Sequence, residues 1–428
     1  MKGFGMTKDT AEVPGVHLPW AGKLVRIEEI EDTLAYLWRM SADNVRISQN
    51  MNVRTCVLNL VICAPDIMSA RRASTLLRDL SSTHIGRVTL LILDSSSSPA
   101  QVTTWVTLRS FPIISDIMRH SFEQITILLS GSTVSSASSI IQPLLKPDLP
   151  IYLWWLGDPS EDDATLLSLA RISNRVIVDS NTFIAPEQGL CALSTFLQAA
   201  SNCALSDLNW GRITPWRQLI AQFFDVPEYK LYLPGVYSIE IEHAVLPPGD
   251  AASKRQIIAP HSTLALLLAG WLKKSFNWQL SASEQNLHDL DSGTHFWHMS
   301  RHTGLLQMIP SRANAQTSGR LGHSGEGSIS IRPRIQAGLY SGSLCLVRIN
   351  TVLNSKPATF TIDREEDTNN VLTSVKRPEG LCAQRIVSVA EKRAASDLLY
   401  DELEILGHDH LYEDALHEVF ELLAESQP

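Results

Sequence analysis

Two successive tryptophans inside a short apolar run, Ile151-Tyr152-Leu153-Trp154-Trp155-Leu156, constrain this chain more than any other stretch. Pro147 and Pro150 hold the approach extended, and Gly157-Asp158-Pro159 stops the run abruptly. A continuous apolar run of this length between breakers predicts a central strand buried on both faces. Adjacent side chains on a strand point to opposite faces, so Trp154 and Trp155 must divide between them. Either both belong to the core, or one packs under a helix while the other lines a cleft near the strand's carboxyl end. Ser160, with Asp163 three residues on, reads as the N-cap of the next helix.

The flanking sequence supplies the rest of such a sheet. Residues 54–64, 87–93, 122–130 and 175–180 read as strands, and 67–80, 134–145 and 164–170 as helices. Residues 105–110 fit an edge strand or a hairpin arm. Strands alternating with helices predict an α/β N-terminal domain with a mostly parallel sheet, over residues 45–205. Residues 1–44 form a lead-in and a helix from Ile27, with Glu28, Glu29, Glu31 and Asp32 in its early turns. Residues 206–235 crowd Trp210, Trp216, Phe223, Phe224, Tyr229 and Tyr232 into an aromatic connector. Within it Thr214 reads as an N-cap and Pro215 as the first turn of a helix. Residues 236–428 read as an α+β domain, with strands at 237–244, 296–299, 328–331, 343–350 and 359–363, a helix over 262–274, and a long polar loop over 311–327. Two helices close it, one opened by a Ser388-x-x-Glu391 capping box and one starting near Asp409.

Bulk properties exclude several classes of function. A chain of 428 residues, 44% hydrophobic and 19% charged, is of ordinary globular composition. A net charge of -9 argues against a nucleic-acid-binding surface. The six cysteines are dispersed, and Cys56 and Cys63 face opposite sides of one predicted strand. They are expected to be reduced, as in a cytoplasmic protein. The first twenty residues contain no signal-like apolar stretch, and residues 264–272 are too short to span a bilayer, so no membrane association is expected.

Chemistry-bearing motifs are sparse. A dinucleotide site needs glycines between the first strand and its helix, but here the turn is Ala64-Pro65-Asp66. Gly322, Gly325 and Gly327 lack a strand-turn-helix setting and read as loop. Ser130-Gly131-Ser132-Thr133 follows a strand and precedes a helix, which suits either a weak anion site or simple capping. His295, His298 and His302 have no cysteine or carboxylate beside them to complete a metal shell. No catalytic, cofactor or metal residue is therefore assigned. Trp210, Arg212, Trp216, Arg217 and Phe224 form a cluster that fits either a protein-binding surface, where Trp and Arg dominate, or an interdomain core with surface arginines.

Three segments together resemble a known family. They are Asp148-Leu149-Pro150 with Leu153-Trp154-Trp155 and Gly157; Leu208-Asn209-Trp210-Gly211-Arg212 with Thr214-Pro215-Trp216-Arg217 and Phe223-Phe224-Asp225; and Leu398-Leu399-Tyr400-Asp401-Glu402-Leu403 with Gly407, Asp409, Tyr412 and Ala415-Leu416. In this order they resemble the glucose-6-phosphate dehydrogenase assembly protein (OpcA) family. The resemblance implies a non-catalytic partner that promotes assembly or activation of glucose-6-phosphate dehydrogenase, the entry enzyme of the oxidative pentose phosphate pathway. Some relatives carry an extra N-terminal module resembling a peptidoglycan-binding domain, for which residues 1–45 are too short. The alternative reading is a sugar-phosphate-metabolising enzyme with a cleft near Ser130–Thr133 and Asp179-Ser180.

Overall fold

A computed structural model of the chain describes residues 20–48, 51–53, 57–79, 86–114, 118–245, 261–281, 286–289, 293–301, 325–336, 338–365, 370–389, 393–405 and 407–424. The expected lead-in up to residue 19, Cys56, His302, Gly322 and Glu391 lie outside them.

The first half contains β1 (Lys23–Val25), α1 (Ile30–Ser48), β2 (Met51–Val53), β3 (Asn59–Ala64), α2 (Ile67–Asp79), β4 (Arg87–Asp94), β5 (Gln101–Ile114), β6 (Met118–Ser130), α3 (Ala137–Ile141), β7 (Ile151–Trp155), α4 (Ala164–Ala170), β8 (Arg175–Val178), α5 (Pro186–Ala199) and β9 (Ala204–Asp207). Its strands run β1-β5-β6-β4-β3-β7-β8-β9, with β2 beside β6. From β6 to β9 every pairing is parallel. The β5–β6 hairpin and β1 add an antiparallel edge. The Trp-Trp strand β7 is interior, between β3 and β8, as its unbroken apolar run predicts. Both tryptophans are core. Trp154 shares a buried cluster with Ala70, Ala73 and Leu77 of α2, while Trp155 belongs to the other cluster with Ile141 and Leu166.

The second half adds α6 (Leu208–Arg212), α7 (Thr214–Asp225), α8 (Pro227–Lys230), β10 (Val236–Val245), α9 (Thr263–Ser275), β11 (Trp278–Leu280), β12 (Leu287–Asp289), β13 (Thr294–Arg301), β14 (Glu326–Ile335), β15 (Leu344–Leu353), β16 (Lys356–Arg364), β17 (Asn370–Arg377), β18 (Gly380–Ser388), α10 (Ala395–Leu403) and α11 (His410–Ala424). Its strands run β11-β13-β14-β10-β15-β16-β17-β18, with β12 on β13. This sheet is mostly antiparallel; β10 and β14 are parallel partners. Along β10, Ile239 and Ile241 are buried while Glu240 and Glu242 on the other face are not, the alternation of a sheet covered on one side.

Several local expectations need correction. Asp163, not Ser160, caps α4, its Oδ1 accepting from the Leu166 amide at 2.9 Å. Residues 134–145 form α3 between two 3-10 turns, because serine hydroxyls compete for the backbone there: Ser135 Oγ donates to the Ser132 carbonyl at 2.9 Å. Residues 105–110, read as an edge strand or a hairpin arm, do belong to a hairpin arm, and it is 14 residues long. Thr214 is the first residue of α7, with Ile213 at the N-cap position. Gly327 lies in β14 rather than in a loop. Ser388 ends β18 and opens no helix; α10 begins at Ala395.

Helix α9 is buried almost throughout, and α11 lies across it. Gly270 makes the close approach possible, since a Cβ there would stand 2.3 Å from the Ala415 carbonyl oxygen and 2.8 Å from Val419 Cγ2. Gly→Ala inside a helix ordinarily gains about 1 kcal/mol. Against a backbone carbonyl at this distance the overpacking cost, about 1–3 kcal/mol, wins. Gly270→Ala is therefore expected to lower the urea midpoint, and a raised midpoint would show that the two helices have room to part.

Candidate functional site

The candidate site is the junction of the two halves, at the carboxyl ends of β8 and β9. Asp179 follows β8, and Asp207 ends β9 where α6 begins. Asp207 Oδ1 accepts from the Asn209 amide at 2.9 Å and the Ser180 amide at 3.0 Å, so it caps α6 and fixes the β8 turn. Asn209 Nδ2 donates to Ser180 Oγ at 2.9 Å and to Thr263 Oγ1 at the start of α9 at 3.1 Å. Arg212 closes the network with a two-pronged pair to Asp179, at 2.6 and 2.9 Å. Burial pushes the Asp207 carboxyl up to about 6, partly offset by hydrogen bonds from Ser180.

The connector packs around this network. The Arg217 guanidinium lies 3.6 Å from the Trp210 ring centre and donates to Thr214 Oγ1 at 2.8 Å. Burial pulls its pKa down to about 10, against the opposing pull of Asp409. Trp210 Nε1 donates to Asp409 Oδ2 at 2.8 Å, and Phe224 packs on Phe360 with ring centres 4.9 Å apart. Trp210 is 4% exposed and Trp216 1%, so of the two readings of this cluster its tryptophans take that of an interdomain core. Their indoles fill the space between the sheets, and Phe224 and Arg217 are half-buried beside them. The exposed apolar residues of this region come later: Val226 at 40%, Leu231 at 62% and Tyr237 at 39%. They escape a motif search because Val226 and Leu231 are single aliphatic residues at helix ends and Tyr237 is a lone aromatic near the start of β10.

The remaining candidates separate. Thr133 Oγ1 donates to the Ser130 and Gln101 carbonyls at 2.9 and 3.2 Å, and Gly131 takes a left-handed φ of 59°. Ser132 is exposed. This turn leaves β6, which is four strands from β8 in the sheet, roughly 19 Å at one strand spacing each. It therefore shares no cleft with Asp179 and Ser180. At the β3–α2 turn, Asp66 accepts from the Ser69 amide and hydroxyl, both at 2.8 Å. Its own carboxylate thus occupies the helix N-terminus where a phosphate would bind. Burial raises the Asp66 pKa, but the hydrogen bonds from Ser69 outweigh it and hold the group low.

His295 stacks on Trp297, its Nδ1 3.2 Å from His288 Nδ1 and its Nε2 3.3 Å from Glu187 Oε1. Burial, and then the neighbouring His295, push His288 down to about 4. Sequence reading missed this grouping, because Glu187 comes from the other half of the chain. Among the described residues, no group of three or more His, Cys, Asp or Glu side chains is arranged to hold a metal ion. Cys63, Cys191, Cys203 and Cys345 are free thiols. No helix among the described residues is long and apolar enough to cross a membrane.

Comparison with known proteins gives a consistent result. Residues 77–195 match the family model described as the glucose-6-phosphate dehydrogenase subunit N-terminal domain, and residues 203–416 match the corresponding C-terminal domain. The OxPP cycle protein OpcA of Nostoc punctiforme is 30% identical over 169 residues, 40% of this chain and 33% of that protein. The Synechocystis protein of the same name is 30% identical over 156 residues, 36% of this chain and 30% of that protein. The matches thus span about a third of the length of these curated relatives. Among solved structures, the 3-ketoreductase KijD10 of Actinomadura kijaniata has a TM-score of 0.43 at 7% identity, covering 86% of this chain and 96% of that one. That score is too low to carry an inference about fold or function.

Asp207 gives the site a pH signature. The folded carboxyl holds its proton to about pH 6, against an ordinary value of 3.8. Its contribution to stability is fully present below about 3.8 and is lost as pH rises through about 6. The loss amounts to at most about 3 kcal/mol. Asp207→Asn keeps an accepting oxygen for both amides, so urea midpoints taken from pH 4 to 7 should fall less steeply in this variant than in the parent. Parallel profiles would mean that Asp207 titrates normally.

Proposed function

Because the chain belongs to the OpcA family of glucose-6-phosphate dehydrogenase assembly proteins, we propose that it is a non-catalytic factor that binds and activates that dehydrogenase in the cytoplasm. The observation that carries this reading is the pair of family matches, consecutive and together covering the first sheet from β4 onward and the whole of the second. The geometry supports it from another side. The helix end that an α/β nucleotide-binding protein would offer to a phosphate is taken by Asp66. The separation of Ser130–Thr133 from Asp179 weighs against a sugar-phosphate enzyme built on those two turns.

For the docking surface we look to the connector, with its roles divided. Trp210, Arg212 and Trp216 set the domain junction, while Arg217 and Phe224 stand at its margin. The partner's contact falls on the exposed apolar residues that follow, Val226, Leu231 and Tyr237. Arg212 is a poor probe of contact, because its removal leaves Asp179 without its bidentate partner.

Co-purification with the organism's own dehydrogenase, and activity with and without this chain, test the function. The purified chain alone should turn over neither sugar phosphates nor the lactones derived from them. Leu231→Glu tests the surface. The side chain is 62% exposed, so melting should change little, while loss of a central apolar contact typically costs ~2 kcal/mol or more, over tenfold in affinity. A folded Leu231→Glu protein that activates the dehydrogenase as well as the parent would place the contact elsewhere.

A further inference from the structure

A second feature of the junction is a cavity of ≈ 330 Å³. Asn181, Arg212, Trp216, Tyr340, Arg364 and Arg393 are among its lining residues, and among the described residues no carboxylate is. Its walls come from every part of the junction. Asn181 lies just past the carboxyl end of β8, Arg212 ends α6 and Trp216 is on α7. Arg364 ends β16, and Arg393 precedes α10. A crevice outside the carboxyl ends of parallel strands, between two domains, is where α/β proteins ordinarily take ligands.

The arginines are held in place before any ligand arrives. Arg212 is fixed by Asp179. Arg364 is 2% exposed, donates from Nε to the Leu344 carbonyl at 3.0 Å, and stands with its guanidinium 5.6 Å from the Trp216 ring centre. Arg393 pairs with Asp401 at 2.6 Å and is 38% exposed, so it sits on the more open side. Guanidinium groups present planar forks that match phosphate and carboxylate oxygens. Low-dielectric walls strengthen the field of like charges placed in a cleft. Asp179 and Asp401 offset two of the three charges, so the preference for a phosphate monoester over a carboxylate rests on its three free oxygens, which three forks can share, where a carboxylate has two. Asn181, Ser343 and Tyr340 add donors and acceptors of the kind that read hydroxyl groups. The volume lies at the low end of the range for small-molecule sites, about 300–1,000 Å³, which admits a molecule of sugar-phosphate size and no dinucleotide.

We propose that this cavity is a regulatory site for a small phosphorylated polyol, which bridges the two sheets through Arg212, Arg364 and Arg393. The ligand is an effector and undergoes no reaction. The proposal does not depend on the dehydrogenase, because it concerns the isolated chain.

The test is titration calorimetry and thermal melting of the full chain with ribose 5-phosphate, against ribose and gluconate as the uncharged and carboxylate controls and inorganic phosphate as the minimal anion. Saturable binding of ribose 5-phosphate with a raised melting temperature is expected, with both controls at least tenfold weaker. Arg393→Gln should weaken binding at least tenfold while leaving the melting temperature of the free protein within about 2 °C of the parent, as befits a half-exposed side chain. Arg364→Lys keeps the charge but loses the fork and should also weaken binding; if it does not fold, Arg393→Gln decides alone. Absence of saturable binding of both ribose 5-phosphate and inorganic phosphate, or an Arg393→Gln protein that binds like the parent, overturns the proposal. Equal binding of gluconate overturns its assignment to phosphate.

Discussion

The structure hangs on a small buried polar network at the ends of β8 and β9. Asp207, Asn209, Ser180, Asp179, Arg212 and Thr263 are joined by hydrogen bonds across four separate elements. Such groups are costly when buried without partners, and breaking one buried pair typically costs several kcal/mol. That cost ties geometry to sequence. Helix α6 must leave the first sheet in one direction, and α9 must start within reach of Asn209. The two sheets are therefore oriented by hydrogen bonds that leave little freedom, while apolar packing supplies most of the stabilisation around them.

The same junction is closed from the far end of the chain. Helix α10 packs on α2 and α6, and the segment after it threads along the first sheet. Tyr152 Oη donates to the Ile405 carbonyl at 3.1 Å, and Arg175 reaches the Gly407 carbonyl and stands 3.5 Å from Glu402. Trp297 Nε1, in the second sheet, donates to the Leu422 carbonyl of α11 at 2.9 Å. The last thirty or so residues thus complete cores begun in both halves. One apolar cluster runs continuously from Val61 and Trp155 through Trp216 to Ile329 and Val419. The halves are distinct as sheets, but they are not separable as cores.

How much of this was readable in the sequence depends on the range of the forces involved. The Trp-Trp strand was readable because burial on both faces leaves a continuous apolar run. Strands β17 and β18 were not. Thr373, Ser374 and Gln384 interrupt the apolar pattern, and β18 is an edge with residues 383–386 exposed. The capping of α6 by Asp207 is local and went unassigned in the sequence, and its raised pKa comes from burial by distant elements. Ser388-x-x-Glu391 had the letters of a capping box, yet Ser388 pairs with Asn370 in β17–β18. Cross-strand pairing there outweighs a motif worth about 1 kcal/mol.

The connector shows why composition alone does not separate an interface from an interdomain core. Both use Trp and Arg for one reason: a large flat ring or guanidinium buries much area while keeping polar edges to satisfy. Accessibility separates them. Trp216 turns inward onto the second sheet's Arg364 and the cavity, while Gln218, Ala221 and Gln222 of the same helix face outward. Helix α7 therefore has one side in the junction and one toward solvent, followed immediately by the exposed Val226 and Leu231. A helix placed this way couples its two sides mechanically. Trp216 is packed in the core on one side and faces the cavity on the other. The position of α7, and with it that of the apolar residues at its end, is set by how Trp216 packs in the junction. The junction network, which first reads as scaffolding, is then also what holds the outer surface in register with the cavity.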